Sequence, residues 1–200
     1  MKILIATNNR WKYQLFASIF NMHGFEAVML GDIENSKPLP VENGKTVVEN
    51  ALIKARHYYS AENPWVFGDD TGLEIEALNN EPGIQARRWN GRFPDDVDEQ
   101  VWLNYLLERM KDVPLGERTA HFVDGWALLD PNGGVFTHEV RGTFEIALQP
   151  VRPILPGSPV MAVAVGIPED PAQILAEVQA RWDEWGILSK LGRKKTKYRG

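Results

Sequence analysis

Trp65-Val66-Phe67-Gly68-Asp69-Asp70-Thr71-Gly72-Leu73 is the stretch on which the fold turns. Its three leading residues are apolar and favour extended backbone, so they read as a short strand running into Gly68-Asp69-Asp70. In α/β sheets ligands gather at the carboxyl ends of strands, which is where this acidic pair falls. Adjacent carboxylates suit a core badly, because each buried charge costs several kcal/mol unless it is paired. Ionised oxygens do suit a hard cation such as Mg2+, which takes one or two carboxylates and completes its shell with water and phosphate. Neighbours in sequence point different ways, so one Asp could hold metal while the other takes a proton from water. The competing reading is an Asp-capped turn, with Asp-Thr-Gly satisfying its own backbone. These nine residues alone leave the two readings even.

Working outward, residues 2–6 read as a first strand. Leu15, Phe16, Ile19 and Phe20 then recur at helical spacing, with Asn8 or Asn9 as the cap and Gly24 as the stop. Residues 25–30 read as a second strand and 31–44 as loop. Thr46 and Glu49 fit a capping box, and Val48, Ala51, Leu52, Ala55, Tyr58 and Tyr59 mark the buried stripe of a helix reaching about residue 60. Beyond the acidic pair, residues 71–94 read as irregular, with turns at Asn79-Asn80 and Pro82-Gly83. Val101, Trp102, Tyr105, Leu106 and Met110 predict a third helix. Alternation over 136–146 predicts a strand that pairs with 119–129 across the turn at 130–134. Four prolines punctuate 150–159, residues 160–165 read as a further strand, and 171–185 as a last helix. This order implies an α/β or mixed α+β fold, one domain built on a long central sheet.

Composition narrows the classes. The chain has 200 residues, a net charge of −5 and no cysteine, which removes disulfides and thiolate zinc sites. No apolar run is long enough to cross a membrane, and the first strand turns polar too soon for a signal peptide. The expectation is a cytoplasmic protein. Net acidity argues against a general nucleic-acid binder. Six of the 22 basic residues fall in 189–200 without an acid, leaving 16 to face 27 acidic residues. That tail reads as a solvated end rather than a phosphate contact.

Other candidates for chemistry flank the acidic pair. Thr7-Asn8-Asn9-Arg10-Trp11-Lys12 follows a strand and opens a helix, a natural place for phosphate, although the glycines of a P-loop are missing. Asn50 and Lys54 share a helix face, and Glu42 lies just upstream. Arg87 and Arg88 follow the Pro82-Gly83 turn, and Arg suits bidentate phosphate contact, though a surface pair is the commoner explanation. The four histidines show no metal-ligand spacing, and His138 reads as a core residue. The seven tryptophans are dispersed and form no visible stacking platform.

The order of these features resembles the inosine triphosphate pyrophosphatase family, enzymes that remove non-standard purine nucleoside triphosphates. The match runs through Thr7, Asn9 and Lys12, then Glu42 and Gly44, Glu49-Asn50-Ala51, Lys54-Ala55, Asp69-Asp70-Thr71-Gly72-Leu73, Pro82-Gly83 and Ala86-Arg87. The resemblance implies an elongated two-lobed fold, with a long mixed sheet flanked by helices and a cleft between the lobes, assembled as a homodimer. It implies Mg2+-dependent cleavage of nucleoside triphosphates to monophosphate and pyrophosphate. Asp70 would be the general base, with Lys54 beside it, and Glu42, Asp69 and Asp70 would hold the metal. Thr7, Asn8, Asn9, Arg10, Lys12, Asn50, Lys54, Thr71 and Arg87 would contact the substrate.

The second half departs. Family members carry Phe-Gly-Tyr-Asp-Pro and a later Ser-His-Arg, but residues 147–168 here hold no aromatic side chain. Near the end stand only Ser189, Lys190 and Arg193. The chain therefore divides into a phosphate and metal half (1–115), a hairpin and rebuilt base-pocket half (116–188) and the basic tail. Cleavage of a pyrimidine or modified nucleotide, or a silent nucleotide-binding module, are the alternatives.

Overall fold

The computed structural model describes residues 1–33 and 38–187, so the basic tail lies outside the described residues. β1 (Lys2–Ile5), α1 (Arg10–Met22), β2 (Glu26–Met29), α2 (Val47–Tyr58) and β3 (Val66–Ile75) make up the first part. β4 (Glu81–Gly83), α3 (Glu99–Arg109), β5 (Thr119–Leu129), β6 (Val135–Ile146), β7 (Ala164–Val165) and α4 (Pro171–Trp185) follow. The strands form one mixed sheet in the order β2-β1-β3-β5-β6-β7, with β4 beside the outer part of β3. β2, β1 and β3 run parallel, and every other pairing is antiparallel. The α/β sheet expected from the element order is present.

Local chemistry sets the helix starts. Asn9 caps α1 by accepting from the amides of Trp11 and Lys12. Thr46 accepts from Glu49 N, while Glu49 accepts in return from Lys45 N, so the box closes one residue before the cap itself. Asp170 and Pro171 open α4, and Gly186 ends it in the left-handed region at φ 67°.

β3 differs from its sequence reading. It does not stop at Phe67 but continues through both aspartates to Ile75, and β4 adds a short strand inside the stretch read as irregular. Glycine and aspartate are poor strand formers, yet β5 pairs with all ten residues from Val66 to Ile75. The ladder overrides their propensity. Residues 160–165 are mostly a helical turn, Pro159–Ala162, before the two-residue β7. Their amides close locally, Met161 N onto Ser158 O and Val163 N onto Val160 O, and are unavailable to a ladder. His138 is half-buried rather than core, stacked on Trp185 at 5.7 Å and 9°.

Strand alternation divides the sheet's duties. Phe67, Asp69, Thr71 and Leu73 share one face with Trp126, Asp124 and Phe122 opposite them on β5. At one end of this face Phe16, Phe20, Phe67, Trp126 and Trp182 pack together under α1 and α4. At the other, Leu73, Ile75, Leu103, Leu106 and Phe144 pack under α3. On the opposite face α2 lies against Leu4, Val66 and Ala127 through Ala51 and Ala55. It lies very close: a Cβ on Gly68 would stand 2.2 Å from Ala51 O, and one on Gly125 2.3 Å from the Val47 carbonyl carbon.

Beside the second cluster, the guanidinium of Arg118 is buried and has no carboxylate partner among the described residues. It donates to the carbonyls of Met110, Val113, Ile146 and Ala147, tying the end of α3 to the end of β6.

Candidate active site

β1 ends at Ile5 while its neighbour β3 runs on, so the chain leaving β1 turns into α1 directly across from Asp69. Ala6 N donates to Phe67 O at 2.8 Å as the last rung before that turn. Lys12, one turn into α1, donates through Nζ to Asp69 Oδ2 at 2.5 Å and to Thr71 Oγ1 at 2.9 Å. The Thr71 hydroxyl donates onward to Asp124 Oδ1 at 2.6 Å.

The other face of β3 is served by α2. Asn50 Nδ2 donates to Asp70 Oδ2 at 3.0 Å, and Lys54 Nζ to Asp70 Oδ1 at 2.8 Å. Lys54 also reaches Asp69 O at 3.0 Å and Glu42 Oε2 at 3.0 Å. Asn50 Oδ1 accepts from Gly44 N at 2.8 Å, which fixes the amide's orientation and holds the Glu42 loop. Both aspartates are buried, Asp69 at 3% and Asp70 at 9% exposure, and each is compensated by a lysine from a different helix. Sequence neighbours thus take their partners from opposite sides of the sheet.

The electrostatics follow from this. Burial alone would lower the Lys54 pKa, but Asp70, Asp69 and Glu42 together outweigh it and raise the pKa above the ordinary lysine range. Lys54 is a fixed cation. Burial pushes the Asp124 carboxyl above the usual range, against the pull of the Thr71 hydroxyl and the Lys12 charge.

Between the two apolar clusters lies a cavity of about 590 Å³. Thr7, Asn9, Lys12, Lys54, Asp69, Asp70 and Thr71 all reach its wall. Asn8 and Arg10 are exposed and lie outside that wall, while Asn50 and Glu42 stand behind Asp70 and Lys54. Arg87 reaches the wall, but its guanidinium is occupied. It donates to Glu99 at 2.6 Å, to Asp95 O at 3.1 Å and to Val97 O, binding the 95–99 segment in place. Among the described residues no three His, Asp or Glu side chains form a metal-sized cluster.

Sequence reasoning missed Asp124. The signal was available, since Asp124 alternates with Phe122 and Trp126 and is the polar member of an inward-facing row. It also missed that Trp11, Trp102 and Trp126, far apart in the chain, all reach this cavity, and that α4 supplies Ile174, Glu177, Val178 and Arg181.

Comparison with known proteins agrees with the geometry. A sequence profile of the Ham1 family matches residues 3–150, ending where the departure noted above begins. The dITP/XTP pyrophosphatase of Corynebacterium efficiens is 39% identical over 154 residues, 76% of this chain and 72% of that one. The dITP/XTP pyrophosphatase of Mycobacterium tuberculosis is 34% identical over 161 residues, 75% and 78% of the two chains. Among solved structures, a nucleoside-triphosphatase (dITP/XTP pyrophosphatase) from Mycobacterium abscessus superposes with a TM-score of 0.63 at 31% identity, covering 97% of this chain and all of that one. The Ham1 protein of Staphylococcus aureus, at 23% identity and a TM-score of 0.68, covers 92% of this chain and 99% of its own and shares the fold. The resemblance carried by Thr7 through Arg87 is therefore correct, and the chain belongs to the Ham1 family.

Proposed function

We propose that this chain hydrolyses nucleoside triphosphates between the α- and β-phosphates, releasing the monophosphate and pyrophosphate, with non-standard purine nucleotides such as ITP, dITP and XTP as substrates. The observation that carries the reading is the convergence of Lys12 and Lys54 on the adjacent Asp69 and Asp70 at the wall of a nucleotide-sized cavity. The names borne by the similar Corynebacterium and Mycobacterium proteins support the same chemistry.

In this mechanism Thr7, Asn9, Lys12 and Thr71 hold the phosphates, and the two lysines offset the charge that collects on the leaving pyrophosphate. Asp70, held by Asn50 and Lys54, accepts the proton of the attacking water. As hard oxygen donors, one or two of the carboxylates of Asp69, Asp70 and Glu42 would hold Mg2+ with water and phosphate completing its shell, since the three do not by themselves form a metal-sized cluster among the described residues. Bound there, Mg2+ would neutralise the polyphosphate and acidify a coordinated water. A homodimer in the cytoplasm belongs to the same reading and rests on the family resemblance.

The test is a panel of nucleoside triphosphates with Mg2+, scored for pyrophosphate against orthophosphate. Pyrophosphate in step with nucleoside monophosphate is expected. Orthophosphate alone would overturn the cleavage site, and no product from any nucleotide would favour a silent binding module.

A further inference from the structure

One acid on the cavity wall takes no part in the cleavage step. Asp124 lies on β5 in a row with Phe122 and Trp126, and all three reach the cavity. The wall of a polyphosphate site is a poor place for a further negative charge, since like charges repel. The sheet register shows what the acid meets there. Asp124 stands directly opposite Thr71 on β3, and its Oδ1 accepts from the Thr71 hydroxyl at 2.6 Å. Lys12 and Arg181 favour its charge electrostatically, and Asp69 opposes it. The hydroxyl of Thr71 has one proton, and its two neighbours decide where that proton goes. The Lys12 ammonium carries donors only, so Thr71 Oγ1 accepts from it, at 2.9 Å. Asp124, as a carboxylate, only accepts, so the proton is committed to it and none is left for a phosphate oxygen.

Resting on the pyrophosphatase reading, we propose that Asp124 is a positioning residue: it takes the Thr71 proton and so turns the Thr71 oxygen into a fixed acceptor that seats Lys12 at the phosphate site. An ammonium has three donors. Among the described residues two of those on Lys12 are placed, one on Asp69 and one on Thr71, which leaves the third for phosphate. The two anchors differ in permanence. Asp69 is one of the acids that would hold Mg2+, and a carboxylate turned toward a cation loosens its hold on an ammonium. The Thr71 anchor has no such competing duty, because Asp124 holds its proton from the neighbouring strand. Lys12 therefore keeps its place while Asp69 changes partner. Thr71 serves the phosphates through Lys12, and Asp124 serves them through Thr71.

The experiment measures calorimetric binding of inorganic pyrophosphate with Mg2+, and kcat/KM for ITP alongside. It uses the full-length protein, Asp124→Leu, Asp124→Asn, Thr71→Val and the double variant Asp124→Leu with Thr71→Val. Removing a negative charge from the wall would by itself tighten the binding of a polyanion. The proposal gives the opposite sign, with pyrophosphate bound roughly tenfold more weakly by Asp124→Leu. Thr71→Val should lose a similar factor and the double variant no more than either, because both changes cut the same relay. Asp124→Asn keeps an oxygen for the Thr71 hydroxyl and should stay closer to wild type than Asp124→Leu. Unchanged or tighter binding in Asp124→Leu overturns the proposal, as do losses that multiply in the double variant, the mark of an acid acting independently of Thr71. Asp124→Val, suited to a strand, takes the place of Asp124→Leu if that variant does not fold. If the wild type cleaves no nucleotide yet binds pyrophosphate and the variants show this coupling, the pyrophosphatase reading fails and the relay stands. Cleavage of ITP with Asp124→Leu equal to wild type in both measurements does the reverse. A wild type that binds no pyrophosphate refutes the relay.

Discussion

Gly68→Ala tests whether the close seating of α2 is what arms Asp70. The added Cβ would stand 2.2 Å from Ala51 O and 3.0 Å from Ala55 N. Ordinary carbon–oxygen contact lies at about 3.3 Å or more, so α2 and β3 must part by about 1 Å. Asn50 and Lys54 each precede one of those contacted residues and move with them. The Asn50–Asp70 bond at 3.0 Å would then be broken or badly strained. Overpacking at such a contact costs about 1–3 kcal/mol, and losing a hydrogen bond to a buried carboxylate adds about 1.5–3 kcal/mol. Misplacing a catalytic group by about 1 Å costs on the order of a hundredfold in rate. The assay is urea denaturation together with pyrophosphate release, with Gly31→Ala as control, since a Cβ there meets nothing within 4 Å. Gly68→Ala should lose about 2–5 kcal/mol and most of its turnover, while Gly31→Ala stays within about 0.5 kcal/mol of wild type. Matching stability and turnover in the two variants would refute the argument.

Arg118→Met keeps the volume of the buried stem but leaves four carbonyls without their donor, and should cost at least about 2 kcal/mol in urea denaturation. A loss within measurement error would show that those carbonyls find other partners. Asp124→Asn addresses the buried acid. A carboxyl whose folded pKa is raised contributes stability below its unfolded pKa and loses it as pH rises through the folded one. The variant should therefore gain stability relative to wild type at pH 8 and not at pH 4; parallel stability curves would remove Asp124 from the titration. Asp70→Asn keeps the shape of the general base without its proton affinity, and kcat should fall by roughly a hundredfold or more. Near wild-type turnover would give that role to another group.

The sequence was most legible where local chemistry is decisive. α4 begins and ends at the residues marked by Asp170, Pro171 and Gly186, because caps are encoded within a few positions of each other. Lys12, Asp69, Asp70, Thr71 and Lys54 were nameable because their spacing matches a known pattern, and the structure brings them together. β3 was misread because glycine and aspartate argue locally for a turn, and only β5, more than 40 residues away, holds them extended. Asp124, the converging tryptophans and the α4 wall depend on register and helix docking across the whole sheet. No short window of sequence contains that information.

The placement of the two aspartates on one pleated strand makes registry the address system of the site. An insertion or deletion of a single residue in β3 would do more than disturb one carboxylate: it would exchange which acid looks toward α1 and which toward α2. Insertion or deletion of an uncharged residue there preserves the charge and almost every motif, yet delivers each acid to the wrong lysine. The ten-residue ladder to β5, the parallel contact with β1 and the short β4 brace the strand from both sides. Substitutions that loosen those ladders, even far from the cavity, should therefore act as errors of chemical identity rather than as simple losses of stability.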